Sequence, residues 1–159
     1  MIDRFLAAQE SRGDGYAEAL GEIRAGRKRG HWIWYVFPQL AGLGSSAASR
    51  EFGIAGEDEA AAYLRDATLR SRLQEITEAV AVRLRSGTPL PLLMGSEIDA
   101  RKLVSSLTLF GSVARRLADG GDDPTLRAFV SLAEEILSIA ERAGYSRCEF
   151  TERHLRGPH

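Results

Sequence analysis

The chain has 159 residues, 44% of them apolar and 27% charged, which suits one globular domain with its own core and sets disorder aside as the default. Its 21 basic residues nearly balance 22 acidic ones for a net charge of −1, so no global field draws in nucleic acid or an anionic membrane. The single cysteine, Cys148, excludes an internal disulfide. No apolar run reaches the roughly 18 residues of a membrane span, and the N-terminus is unlike a signal peptide, so the expected location is the cytoplasm.

In chain order, Ile2 to Gln9 reads as a short helix, broken by Ser11-Arg12-Gly13-Asp14-Gly15. Asp14 is the expected cap of the next helix, whose apolar positions are Tyr16, Ala19, Leu20 and Ile23. A basic turn follows, Arg27-Lys28-Arg29 between Gly26 and Gly30. The stretch His31-Trp32-Ile33-Trp34-Tyr35-Val36-Phe37-Pro38-Gln39 holds both tryptophans and is apolar on every side. Burial on most faces follows, but periodicity leaves helix and strand equally open. Pro38 ends regular structure there, and Leu40 to Ser46 reads as a tight loop with Ser45 or Ser46 capping a short helix towards Phe52.

Longer helices come next. Glu57 to Leu64 is a short lead-in, and Asp66 caps Ala67 to Arg85, where Leu69, Leu73, Ile76, Val80 and Leu84 share one face. Ser86-Gly87-Thr88-Pro89 ends that helix, and Leu90 to Met94 is an apolar crossover. Ser96-Glu97-Ile98-Asp99 resembles a capping box and opens a helix to about Leu117. Asp123-Pro124 starts the last one, to about Ala143, with Leu126, Phe129, Val130, Ala133, Ile136, Leu137 and Ala140 inward. Residues 1–145 are thus expected to form a single all-α multihelical bundle, and 146–159 a frayed, polar C-terminal tail.

Two segments carry side chains suited to chemistry. One runs from Lys28 to Gln39, the other from Lys102 to Phe110. Arginine supplies positive charge almost everywhere in this chain, and the only two lysines, Lys28 and Lys102, fall inside these segments. Lysine differs in having a compact ammonium and a pKa that burial can lower. The candidate catalytic residues are His31, as an acid–base group, and Lys102. The candidate ligand-binding residues are Lys28, Trp32, Trp34, Gln39, Ser105 and Ser106, with the lysines on an anionic group and a tryptophan against a ring. The bland readings stand beside these: a buried, satisfied His31, tryptophans in the core, and Gln39 bracing a loop. On a helical wheel Arg101, Ser105, Thr108 and Ser112 lie opposite the apolar centre, which favours solvent exposure, while Lys102 and Ser106 sit at its margin. No metal-ligand spacing, Walker motif, dinucleotide fingerprint or nucleophile elbow is present, so no metal and no cofactor is expected. His154 and His159, near the C-terminus, are weak candidates.

The block Gly26 to Gly44, from Gly26-Arg27-Lys28-Arg29-Gly30-His31-Trp32 through Phe37-Pro38-Gln39-Leu40-Ala41-Gly42-Leu43-Gly44, resembles the hallmark of a bacterial family known as domain of unknown function 1810. Asp99 to Phe110 resembles its second hallmark, through Lys102, Ser105, Ser106, Thr108, Leu109 and Phe110. Asp3, Phe5 and Gln9 match a third pattern, and the likeness extends over roughly residues 1–118. It implies a multihelical fold and supplies no function. Some members carry the label calpastatin-like, but calpastatin inhibits through disordered repeats, and this chain has none. The expected function is binding of, or catalysis on, a small anionic, nucleotide-like ligand in a cleft between the aromatic block 28–39 and the helix 97–117. The alternative is a non-enzymatic interaction or homo-oligomerisation module using an apolar helix face, with the final helix as that face.

Overall fold

The computed structural model describes residues 2–121 and 123–156. Among these, ten helices follow one another: α1 (Asp3–Gln9), α2 (Tyr16–Arg24), α3 (Ile33–Val36), α4 (Ala47–Phe52), α5 (Glu57–Arg65), α6 (Ala67–Arg85), α7 (Leu90–Leu93), α8 (Glu97–Asp119), α9 (Pro124–Arg142) and α10 (Glu149–Arg156). The described residues contain no β-strand, only an isolated parallel bridge between Leu40 and Ile54, and the fold is all-α as the periodicities indicate. No helix in them is long and apolar enough to cross a membrane.

Four of the helices, α4, α6, α8 and α9, begin where short polar side chains can accept orphan backbone N–H groups. Ser46 accepts from Ser49 N, Asp66 from Leu69 N, Ser96 from Asp99 N, and Asp123 from both Thr125 N and Leu126 N. At α2 the expected cap is displaced by one residue. Gly15 holds the N-cap position, and the Glu18 carboxylate reaches back to its N–H at 2.9 Å. The Asp14 carbonyl instead accepts the Tyr35 hydroxyl.

α8 is the axis of the molecule. It packs against α9, α5, α10, α7 and α3, while α6 joins α2 and α9 on the far side. Every residue from Leu103 to Gly111 is buried. That overturns the expected exposure of Ser105 and Thr108. The cause is the C-terminal segment, expected to fray, which folds as α10 over this side of α8. Cys148 N donates to Thr108 Oγ1, Arg116 donates to the Leu155 carbonyl, and Thr151 and Leu155 are buried beneath it. With Cys148 just ahead of it, the helix carries a stripe, Thr151 and Leu155, that its charged neighbours mask. The expected disorder of 157–159 lies outside the described residues, as does His159.

The N-terminal helix is pinned by Gln9, which explains its place in the Asp3, Phe5, Gln9 pattern. Its Nε2 donates to the Tyr35 carbonyl at 2.8 Å and to the Tyr63 hydroxyl at 3.1 Å. Phe5 is fully buried edge-on to Tyr63. The effect is to lock α1 onto α3, and with it the aromatic block. The apolar face of α9 is taken up inside the chain: Leu126, Phe129, Ala133, Ile136, Leu137 and Ala140 are buried, Val130 partly so. Most of that face is therefore covered by the chain itself, with Val130 and Ile139 partly buried at its margin.

Candidate functional site

The aromatic block resolves as a single helical turn, α3, entered through an extended basic loop. Glu22, on the exposed side of α2, organises that loop. Its Oε1 accepts from Arg29 N at 2.7 Å, Gly30 N at 2.8 Å and Trp32 Nε1 at 2.9 Å. Burial would raise this carboxyl, but the Gly30, Arg29 and Trp32 hydrogen bonds and the Lys28 charge hold it below its ordinary range. A Cβ at Gly30 would lie 2.3 Å from Asp14 Oδ1, so a side chain there would require the Asp14 carboxylate to move aside. On the other side, Lys28 N donates to the Leu93 carbonyl at 2.7 Å. Gly95, at φ +85°, brings the turn before α8 so close that a Cβ would meet the Lys28 carbonyl at 2.9 Å. These contacts bring the two segments together directly.

Their meeting point is Asp99. One oxygen lies 2.7 Å from Lys28 Nζ and the other 3.3 Å from Lys102 Nζ. Lys28 Nζ also donates to the Gly30 carbonyl. Lys28 Nζ sits 5.1 Å from the Trp32 ring centroid, and Lys102 Nζ 3.9 Å from that of Trp34. Both lysines of the chain thus meet on one carboxylate, and each lies over one of its two tryptophans. The spacing Ser96 to Asp99 reads as a capping box, but only the half in which Ser96 accepts from Asp99 N is recorded. The Asp99 side chain turns to the two ammonium groups instead, since charge-assisted pairing outweighs a backbone cap. Asp99 was the residue missed from sequence; its signal, an acid three residues before the only lysine of α8, was absorbed by the capping motif.

The other candidates scatter. Trp32 is fully buried, so it is a core residue and no stacking platform. Ser106 is fully buried, with a hydroxyl that has no partner among the described residues, which removes it from any surface site. Ser105 lines a different, open groove of about 260 Å³ with Arg101, Tyr145 and Cys148. His31 is exposed on the loop rather than buried, and no hydrogen bond is recorded for it among the described residues. His154 is exposed on α10, where its ring lies 5.3 Å from that of Phe150. Trp34 is only half-buried and has a second neighbourhood. It lines a narrow cleft with Gln39, Leu40, Leu43, Gly44, Ser49, Phe52 and Gly53. Gln39 is nine-tenths buried, and its Nε2 has no partner among the described residues. The described residues hold no group of three or more His, Cys, Asp or Glu side chains that could ligate a metal.

The chain is similar to a conserved hypothetical protein, Rv1873 from Mycobacterium tuberculosis, whose crystal structure superposes with a TM-score of 0.74. The two are 33% identical, with 99% of this chain and 97% of that one covered. The likeness extends through α9 and α10, so the C-terminal helices belong to the shared architecture. No curated protein matches the chain. The family described as protein of unknown function (DUF1810) matches residues 1–120, a span that contains α1 to α8 and the whole of the lysine–aspartate–tryptophan cluster. The chain therefore belongs to the DUF1810 family.

Proposed function

We propose that the protein binds a small anionic ligand at the surface of the Lys28–Asp99–Lys102 cluster, with Lys102 and Trp34 as its contact residues. The observation that carries this reading is the convergence of the chain's only lysines on a single carboxylate. The two ammonium groups share Asp99, and the Lys28 charge is also felt by Glu22, so Lys102 is the less fully compensated cation of the two. The lysine nearer solvent, with its side chain 21% exposed against 6% for Lys28, sits on a half-buried indole. Lys28 and Asp99 then form the fixed base, and Lys102 is the cation free to reach an anion. An ammonium is a compact point charge suited to a phosphate or carboxylate oxygen.

The test is a thermal-shift series with inorganic phosphate, pyrophosphate and nucleoside monophosphates. A ligand at about 100 times its Kd stabilises by about 2.7 kcal/mol, and Lys102→Ala should abolish the shift. If none of these anions raises the melting temperature, or if Lys102→Ala shifts as wild type does, the reading fails. A second reading, a non-enzymatic interaction surface, draws on Leu92 and Ile98. These apolar side chains are 51% and 67% exposed on α7 and the first turn of α8. A wild-type dimer in sizing chromatography that Ile98→Asp turns into a monomer would favour it.

A further inference from the structure

An open groove of about 260 Å³ runs between α8 and the segment that joins α9 to α10. Arg101, Val104 and Ser105 form its α8 wall, and Tyr145, Arg147 and Cys148 form the other. Arg101 and Ser105 stand four residues apart, one turn along the same face of the helix. Lys102, about 100° further round α8, belongs to the Asp99 cluster on another side.

The fold leaves two groups of this groove unused. The first is the Ser105 hydroxyl. Ser105 is nine-tenths buried, and it makes no hydrogen bond among the described residues. A helical hydroxyl without another acceptor commonly donates to the carbonyl one turn back, as Thr108 does to Val104 at 2.7 Å. Ser105 does not. Among the described residues, the polar atoms both sealed from solvent and unpartnered are Gln39 Nε2, Thr77 Oγ1 and Ser106 Oγ. The Ser105 hydroxyl is unpartnered but not sealed, and the groove is the opening that it lines. The second group is the Arg101 guanidinium, which lies over the Tyr145 ring with its central carbon 5.4 Å from the centroid. It has no hydrogen bond and no ion pair among the described residues, even with Glu97 one turn before it. Arg147 is already engaged: it forks onto Glu134 at 3.1 and 2.6 Å and reaches Glu141 at 3.2 Å. Arg101 is thus the cation of the groove with no acid at ion-pair distance.

We infer that this groove is a second ligand site, independent of the Lys102 reading, for a small organic monocarboxylate. The planar Arg101 fork matches the two oxygens of a carboxylate, the Ser105 hydroxyl donates to one of them, and a short carbon chain lies along Val104 and Tyr145. One guanidinium matches one negative charge, and the carboxylates of Glu134 and Glu141 beside Arg147 disfavour a dianion such as phosphate. The volume falls just below the roughly 300 Å³ at which pockets begin to hold drug-sized ligands, so the groove suits a molecule of few heavy atoms.

The experiment titrates the full chain with butyrate, its neutral amide butyramide and inorganic phosphate, followed by amide NMR. Butyrate should shift the amides of Arg101, Ser105 and Tyr145 to Cys148, and butyramide at the same concentration should not. Arg101→Gln should weaken butyrate binding at least about tenfold, the contribution of a charge-assisted hydrogen bond. Arg101→Lys, which keeps the charge and loses the fork, should recover only part of that. Ser105→Ala should weaken it about three- to tenfold and leave the melting temperature at or above that of wild type, because no internal partner is lost. Lys102→Ala should leave butyrate binding unchanged. N-acetyl-alanyl-alanine carries the same carboxylate on a peptide end. Tighter binding than butyrate, with the same dependence on Arg101, would assign the site to a chain terminus, and weaker binding would assign it to a free acid. Absence of butyrate shifts at these amides would overturn the inference, as would butyrate affinity indifferent to Arg101→Gln or Ser105→Ala. So would equal shifts there with butyramide or phosphate, or a fall of several degrees in the melting temperature of Ser105→Ala.

Discussion

Asp99 shows how one side chain can serve two elements at once. Its oxygens each take one lysine, and Lys28, with its side chain 6% exposed, otherwise donates only to the Gly30 carbonyl. Removing a single partner from such a pair leaves a charge without compensation, which costs more than the pair is worth. Asp99→Asn should therefore destabilise the protein by about 3 kcal/mol, the low end of the range for a broken buried pair. Lys102→Met removes the more exposed cation and leaves the Lys28–Asp99 pair intact, so its cost should stay within about 1 kcal/mol. Urea denaturation of the two variants checks the asymmetry. Similar midpoints would mean that the carboxylate is held by solvent rather than by the lysines. Gln39 belongs to the same scale with the opposite sign, as a buried group without a partner in the empty fold.

At the scale of elements, α8 is buried all round from Leu103 to Gly111 only because α10 closes its polar side. The segment leading to α10 is tied to α9 by Arg147, which pairs with Glu134 at 2.6 Å and Glu141 at 3.2 Å. The Arg147 hydrogen bonds hold the Glu134 carboxyl below its ordinary range against the opposing effect of burial. α10 itself is anchored by Leu155, which is 8% exposed, and by Phe150 against the Gly42 loop. Leu155→Ala should cost about 2 kcal/mol, the low end for a core leucine because the cavity opens near the surface. Amide exchange should rise first along Glu149–Arg156. A stability unchanged within about 0.5 kcal/mol would show that α10 is a loosely attached flap.

For the whole molecule, acid stability is tied to Glu59, which joins α5 to the N-terminus. Arg4 forks onto both of its oxygens at 2.9 Å, and Ala55 N donates at 3.0 Å. The Arg4 hydrogen bonds, opposed by burial and aided by Ala55, depress the Glu59 carboxyl below its ordinary range. A depressed folded-state value means that this contribution is fully present above the unfolded value near 4.3 and is lost as pH falls through the folded one. Glu22 is depressed in the same direction and adds to the effect. The melting temperature should therefore fall between about pH 5 and pH 3. Glu59→Gln should be less stable at pH 7 and show a shallower acid decline. Parallel pH profiles for wild type and Glu59→Gln would exclude Glu59 as a source of the decline.

What the sequence alone determined is what short-range physics controls. Helical periodicity at Leu69 to Leu84 and at Leu126 to Ala140, and caps at Ser45 or Ser46, Asp66, Ser96 and Asp123, act within a few turns of chain and read directly from residue order. The rarity of lysine even marked the two segments that meet. The one-turn helix of the aromatic block was undecidable, because a stretch apolar on every side carries no period. Burial of Ser105 and Thr108, the loss of Ser106 and Trp32 from the surface, the pairing of Asp99 with Lys28 and the orphaned Gln39 amide were decided by tertiary structure alone. Each depends on which distant element covers a side chain, and a helical wheel orients a residue without saying what lies opposite. The same holds for α10, which is too short to stand as a helix in water and forms because α8 offers a surface to Thr151 and Leu155.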